Sequence, residues 1–96
     1  MEISEIPEAF SLPLRLKLIS SLVDGTKSFQ ELKELTLATD GNISVQLTKL
    51  ENWGYVKSKK AIRNKKMHSS YQLTYFGRKQ LEEYVELLNR FLKSRQ

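Results

Sequence analysis

Ninety-six residues make one domain, and a hydrophobic share of 40% suffices for one core and is too high for a disordered chain. The formal net charge is +5, unevenly placed: residues 1–51 sum to −3 and residues 52–96 to +8. There is no cysteine, and the one histidine is His68, which excludes disulfides, thiolate zinc sites and thiol redox switches and leaves no histidine pair for a metal.

A chain this short has little room for a pocket between two lobes. It also lacks a nucleophile–base pair and a phosphate loop, so neither an enzyme nor a cofactor is expected. No stretch approaches the ~20 apolar residues of a membrane span, and no N-terminal run resembles a signal peptide. A soluble cytoplasmic protein is the expectation.

Residues 1–11 form an arm in which Ile3, Ile6 and Phe10 recur at helical spacing around Pro7. Two readings stand open, a docked arm or short helix and a frayed tail. Residues 12–23 predict the first helix, with Pro13 in its first turn. Leu12, Leu16, Ile19 and Val23 line one face of it, Leu14, Leu18 and Leu22 widen the stripe, and Asp24-Gly25 stops it. Ser28-Phe29-Gln30-Glu31 is a capping box that opens a short helix over 28–36, with Phe29, Leu32 and Leu35 inward. Thr39 or Asp40 caps a third helix running to about Trp53, with Ile43, Leu47 and Leu50 on its core stripe and Gly54 at its end.

Beyond Gly54 the period changes. Tyr55–Lys59 and Tyr71–Thr74 predict two short strands, and the polar segment 60–69 predicts a long hairpin tip, not a tight turn. Thr74 is the expected N-cap of a last helix reaching about Lys93, whose apolar positions are Leu81, Tyr84, Val85, Leu88, Phe91 and Leu92, with Leu87 to one side. Trp53, Tyr55, Tyr71, Phe76 and Tyr84 are expected in the core, in preference to stacking on bases.

Two features point to a polyanion. The face of the third helix opposite its core stripe holds Gly41, Val45, Thr48 and Asn52, flanked by Asn42, Ser44 and Lys49. Small and hydrogen-bonding side chains with one cation suit a helix in the major groove. Gly41, costly inside a helix, suggests close approach of another backbone. The other feature is the hairpin, where Lys57, Lys59, Lys60, Arg63, Lys65 and Lys66 lie within ten residues. No acid occurs between Asn52 and Leu81. Phosphates would relieve the repulsion among these cations; the alternative is a charged edge that blocks aggregation. The apolar face of the last helix is too wide for one small core. Leu81, Val85, Leu88 and Leu92 are expected to meet a second copy, with Leu14 or Ile6 as further candidates. Coverage by the N-terminal arm is the alternative.

Taken together, Asp40-Gly41-Asn42-Ile43-Ser44, Leu47, Lys49-Leu50-Glu51, Gly54-Tyr55-Val56, Leu73-Thr74 and Gly77-Arg78 resemble the small stand-alone winged-helix DNA-binding proteins related to the MarR and ArsR regulators. The resemblance covers roughly residues 12–90. It implies an α+β, mostly α fold: a winged helix-turn-helix with a three-helix core, a two-stranded basic wing and a long C-terminal helix. The parts are an arm over 1–11, a helix-turn-helix over 28–53, a wing hairpin over 55–74 and a dimerisation helix over 75–93. It further implies a dimer, with the third helix in the major groove and the wing on the adjacent minor groove or backbone. By position, Asn42, Ser44, Val45, Gln46 and Lys49 would face DNA, joined at the wing by Lys57, Lys59, Lys60, Arg63, Asn64, Lys65 and Lys66. Gln46 is where the two arguments part, because the angular count sets it near the core edge. Val45 stands where a basic residue is common in relatives. The chain also lacks the cysteine and histidine pairs of metal-sensing relatives, so metal sensing is not implied.

The expected function is a sequence-specific double-stranded DNA-binding regulator of transcription, a repressor acting as a homodimer. The alternatives are a nonspecific or architectural nucleic-acid binder and a protein-interaction module.

Overall fold

A computed structural model describes residues 1–94. Four helices, α1 (Pro13–Ser21), α2 (Phe29–Thr36), α3 (Asp40–Asn52) and α4 (Tyr75–Lys93), carry a small antiparallel sheet of three strands, β1 (Lys27–Ser28), β2 (Val56–Arg63) and β3 (Lys66–Leu73). The sheet order is β1-β3-β2. Two single 3₁₀ turns, Ile3–Glu5 and Glu8–Phe10, precede α1. The mostly helical α+β expectation holds, and the third strand is an addition to it. No described helix is long and apolar enough to cross a membrane.

The helix ends follow from local chemistry. Ser28 Oγ accepts from Glu31 N at 3.0 Å, and Ser28 N donates to Glu31 Oε1 at 3.0 Å, which completes the capping box of α2. Thr39, rather than Asp40, caps α3, and Thr74 caps α4 by accepting from Gly77 N at 2.9 Å. The bonds with Ser28 hold the Glu31 carboxyl below its ordinary 4.5. A group of this kind stabilises the fold above its unfolded pKa and loses that contribution as pH falls through its lower folded pKa. The stability gap between the parent and Glu31→Gln is therefore expected at neutral pH and should close in thermal melts taken well below pH 4.5. A gap that stays constant with pH counts against this role.

The core joins Leu18, Ile19 and Leu22 of α1, Leu32 of α2, Ile43, Leu47 and Leu50 of α3, and Tyr55, Val56 and Leu73 at the base of the hairpin. The N-terminal arm is docked: Ala9 and Phe10 are buried, and the Phe10 ring stacks on Tyr84 of α4 at 4.8 Å.

Several expectations are corrected. The inward stripe of α1 is Arg15, Leu18 and Ile19, continued by Leu22 at its C-cap, while Leu12 and Val23 are exposed. On α2 the inward positions are Leu32 and Thr36, and Leu35 points to solvent. Thr36 tolerates burial because its hydroxyl donates to Leu32 O at 2.8 Å. On α4 the most deeply buried apolar side chain is Leu87, only 2% exposed, while Leu81 and Tyr84 pack half-buried against the core and Val85, Leu88, Phe91 and Leu92 are exposed. Phe10 comes onto Tyr84, and Arg90 Nη2 donates to Met1 O at 2.7 Å, so the arm turns the inward face of α4 toward Leu87. Trp53 and Phe76 are partly exposed, because they sit at the rim where α3 ends and α4 begins.

The largest correction concerns the wing. The strands run for eight residues each, paired without a break from Val56↔Leu73 to Arg63↔Lys66, and the connection is the tight turn Asn64-Lys65. Both turn residues have positive φ, 52° and 63°, as a two-residue hairpin turn of the primed type demands.

Candidate nucleic-acid interface

Helix α3 presents one buried side and one open side. Ile43, Leu47 and Leu50 are buried, and at 100° per residue that turns Gly41, Asn42, Ser44, Val45, Thr48, Lys49 and Asn52 outward. All seven are exposed. A Cβ added at Gly41 would meet nothing within 4 Å, so nothing within the chain requires a glycine there. Thr39 Oγ1 accepts from Asn42 N at 3.2 Å and orders the first turn, where unpaired N–H groups and the positive end of the helix dipole favour an anion.

Gln46 is set apart from this face. It is half-buried, and its Oε1 accepts from Arg15 Nη1 at 2.9 Å. Arg15 itself is 5% exposed. Its Nη2 donates to Glu8 O and to Ser11 Oγ, each at 2.9 Å, and its guanidinium lies 5.3 Å from the centre of the Trp53 ring. One side chain thus ties the arm to the middle and the end of α3. Its Nε is buried without an acceptor, a cost that the other contacts offset. Arg15→Met is expected to lower stability by about 1.5–3 kcal/mol, the net worth of a hydrogen bond to a charged group, and to make the arm more sensitive to limited proteolysis. Unchanged arm cleavage would show that Ala9, Phe10 and the Arg90–Met1 hydrogen bond anchor it without Arg15.

Beside α3 the ladder gives the wing two distinct faces. Side chains alternate along each strand and cross-strand partners share a face. The face containing buried Val56 and Leu73 also carries Ser58, Tyr71, Lys60 and Ser69. Ser58 Oγ donates to Glu51 Oε1 of α3 at 3.1 Å. A cleft of about 290 Å³ follows, walled by Ser44, Thr48 and Asn52 on α3 and by Ser58, Lys60 and Tyr71 on the wing. The opposite face carries Lys57, Lys59, Arg63 and Lys66 with Ala61, His68, Ser70 and Gln72. Asn64 and Lys65 form the tip. Among the described residues none of the six wing cations has an ion-pair partner; the four ion pairs all lie elsewhere.

Of the outward residues of α3, Ser44, Thr48 and Asn52 therefore border one cleft with the inner face of the wing, whereas Asn42, Val45 and Lys49 lie on the open side of the helix beyond it. Lys60 lies in that cleft, Lys65 extends from the tip, and the other four wing cations occupy the far face. Ser58 and Tyr71 were not singled out from sequence as cleft residues. Their signal is the two-residue period counted from Val56 and Leu73, legible only once the register is known. Of the proposed dimer residues, Leu81 is half-buried, and Val85, Leu88 and Leu92 are exposed. Leu81 and Val85 line a groove of about 530 Å³ with Val23, Arg78 and Asn89.

The family model for the winged helix DNA-binding domain matches residues 14–92. An uncharacterized protein of Methanocaldococcus jannaschii is 32% identical over 78 residues, which span 79% of this chain and 84% of that protein. Among solved structures, Rv0081 of Mycobacterium tuberculosis superposes with a TM-score of 0.79 at 23% identity, over 96% of this chain and 90% of that one. A transcriptional regulator of the MarR family from Enterococcus faecalis superposes with a TM-score of 0.76 at 22% identity, over 88% and 76% of the two chains. At such identities the superpositions speak for the fold, and the matched model extends from α1 to the end of α4. The chain belongs to the winged helix DNA-binding domain family.

Proposed function

We propose that this protein is a sequence-specific double-stranded DNA-binding transcriptional regulator, a repressor that acts as a homodimer. The observation that carries the reading is the cleft between α3 and β2–β3. Hydrogen-bonding side chains border it, and six wing cations that have no ion-pair partner among the described residues lie along and around the same hairpin. In this reading Asn42, Ser44, Val45 and Lys49 meet base edges in the major groove. Lys57, Lys59, Lys60, Arg63, Asn64, Lys65 and Lys66 engage phosphates and supply affinity without sequence choice. Gln46 acts chiefly through Arg15, as a residue that fixes the placement of α3.

Repression follows from occupancy, since a bound site is a blocked site, whereas activation needs a further contact. The dimer uses Val85, Leu88 and Leu92 with the edge of Leu81, apolar side chains on the part of α4 that the arm leaves open. A twofold protein matches a twofold operator.

Selection of bound duplexes from a random pool, followed by gel-shift titration across salt, tests the reading. The pool should converge on a two-fold-symmetric sequence with half-sites about 10 base pairs apart, and affinity should fall steeply as salt rises. A pool that never converges would leave a nonspecific binder. A converged sequence without symmetry would count against the dimer.

A further inference from the structure

We propose that Ile62 and Met67 form an apolar wedge at the wing tip that enters the DNA minor groove and opens a flexible base step. The proposal rests on the DNA-reading function above. The two residues are direct cross-strand partners, one rung from the Asn64-Lys65 turn. They are 71% and 61% exposed, and the core cluster includes neither. Their face is fixed by the register. Counting outward from the buried pair Val56↔Leu73, every second rung lies on the α3 side: Ser58↔Tyr71, Lys60↔Ser69 and then Ile62↔Met67. The inner rungs are confirmed on that side by the Ser58–Glu51 hydrogen bond.

The wedge therefore stands at the outer end of the cleft that the reading helix shares. The eight paired rungs extend roughly 25 Å at the usual strand rise, enough to carry the tip across one strand of the duplex while α3 occupies the major groove.

The surroundings select the occupant. Lys60 shares the face of the pair, Lys65 stands at the tip beyond it, Arg63 and Lys66 flank it on the far face, and no acidic residue lies between Asn52 and Leu81. The matching surface is strongly anionic with an apolar slot in it. The minor groove is such a surface, with phosphates at its rims and stacked bases at its floor. Apolar side chains inserted there unstack a step and kink the duplex. Pyrimidine–purine steps such as TA yield most easily, whereas A-tracts are stiff. The wedge thus confers a preference for deformable sequence at positions that the helix never touches.

Two duplexes of equal length and composition separate this from simple charge attraction: an alternating dA·dT duplex, full of TA steps, and a homopolymeric dA·dT tract. A purely electrostatic wing favours the tract, whose narrow minor groove has the stronger negative potential. A wedge favours the alternating duplex. Binding is read by fluorescence anisotropy and bending by energy transfer between end-attached dyes, with the full chain.

The parent should bind the alternating duplex about tenfold more tightly than the tract and bend it. Ile62→Ser/Met67→Ser should lose both the preference and the bend while keeping the salt slope, because no charge changes. Ile62→Leu/Met67→Leu should keep both. Preference for the tract, absence of bending by the parent, or a serine variant that bends as well as the parent each overturns the wedge and leaves the DNA-reading function standing. A parent that binds neither duplex, and no pool sequence either, overturns both and turns attention to an acidic protein partner.

Discussion

Gly77→Ala is expected to destabilise the fold by about 1–3 kcal/mol, in the range of overpacking in a well-packed site, although alanine is the better helix former. Gly77 lies in the first turn of α4, and its N–H is already capped by Thr74. Thr74 N also donates to Tyr55 O at 3.0 Å, and Thr74 Oγ1 donates to Gly54 O at 2.6 Å. These bonds hold the end of the hairpin and the start of α4 against the Gly54-Tyr55 turn. A Cβ at Gly77 would lie 3.0 Å from Tyr55 Cα and C, and closer still to the Tyr55 carbonyl oxygen. The obstacle is backbone, which cannot swing aside as a side chain can. Relief requires Tyr55 to move, and Tyr55 is a core residue held between Phe10 and Phe76 at ring distances of 5.8 and 5.2 Å.

Urea unfolding should show a lower midpoint with an unchanged slope, and the melting temperature should fall by about 4–8 °C for each kcal/mol lost in a domain of this size. Gly41→Ala is the matched control. Its Cβ enters open space, so the same substitution there should be neutral or stabilise by up to about 0.5–1 kcal/mol. If both variants behave alike, helix propensity rather than the Tyr55 contact governs Gly77.

The contrast between these glycines shows what is legible in sequence and what is not. Local chemistry reads well because partners lie within four residues: the Ser28–Glu31 box, the Thr74 cap, the Gly54 stop and the Ile43, Leu47, Leu50 stripe were all visible. Features set by distant partners were not. Arg15 interrupts an apolar run at the spacing of Leu18, Ile19 and Leu22, and that spacing alone signalled burial. Its acceptors lie on the arm and on α3, where the pattern of the helix itself does not reach. Leu87 became the most deeply buried apolar side chain of α4 because the arm comes onto that side. Strand β1, two residues long, pairs with β3 at Lys27↔Tyr71 and Ser28↔Ser70 and is too short to show a period. The strands were read as short and joined by a long hairpin tip because both faces of the wing are polar for most of its length and its turn is Asn-Lys, not Asn-Gly. Lysine in a left-handed conformation costs about 1–2 kcal/mol, and here the continuous ladder imposes it. In the candidate site, residue types were legible from sequence; which face of the hairpin each cation occupies had to come from the register.

Reversing the charges at the tip, Lys65→Glu with Lys66→Glu, is expected to weaken DNA binding about a hundredfold or more near physiological salt. Each phosphate contact contributes a slope of about 0.9 to the dependence of log affinity on log salt. Losing two contacts at such salt accounts for a few tens-fold by that relation, and two carboxylates set against phosphates add repulsion. The salt slope itself should shrink by about 2, and that is the sharper readout because misfolding does not produce it. Folding should survive. Both side chains are exposed, neither enters an ion pair among the described residues, and glutamate meets the same left-handed cost at position 65 as lysine does.

A charge-matched control decides between the wing and the whole-molecule field. Lys79→Glu with Lys93→Glu changes the net charge equally but acts on α4, where Lys79 is 3.4 Å from Glu82. If the wing places its cations against phosphates, the control should slow association modestly at low salt and leave the slope nearly intact, because distant exposed charges are screened within about 8–10 Å. If the two reversals weaken binding alike, the protein attracts DNA by its overall charge of +5, and the hairpin has no privileged contact. The tip pair is the more demanding of the two choices. Lys65 owes its outward position to the turn, so loss of slope there ties the conformation of two residues directly to the grip on the duplex.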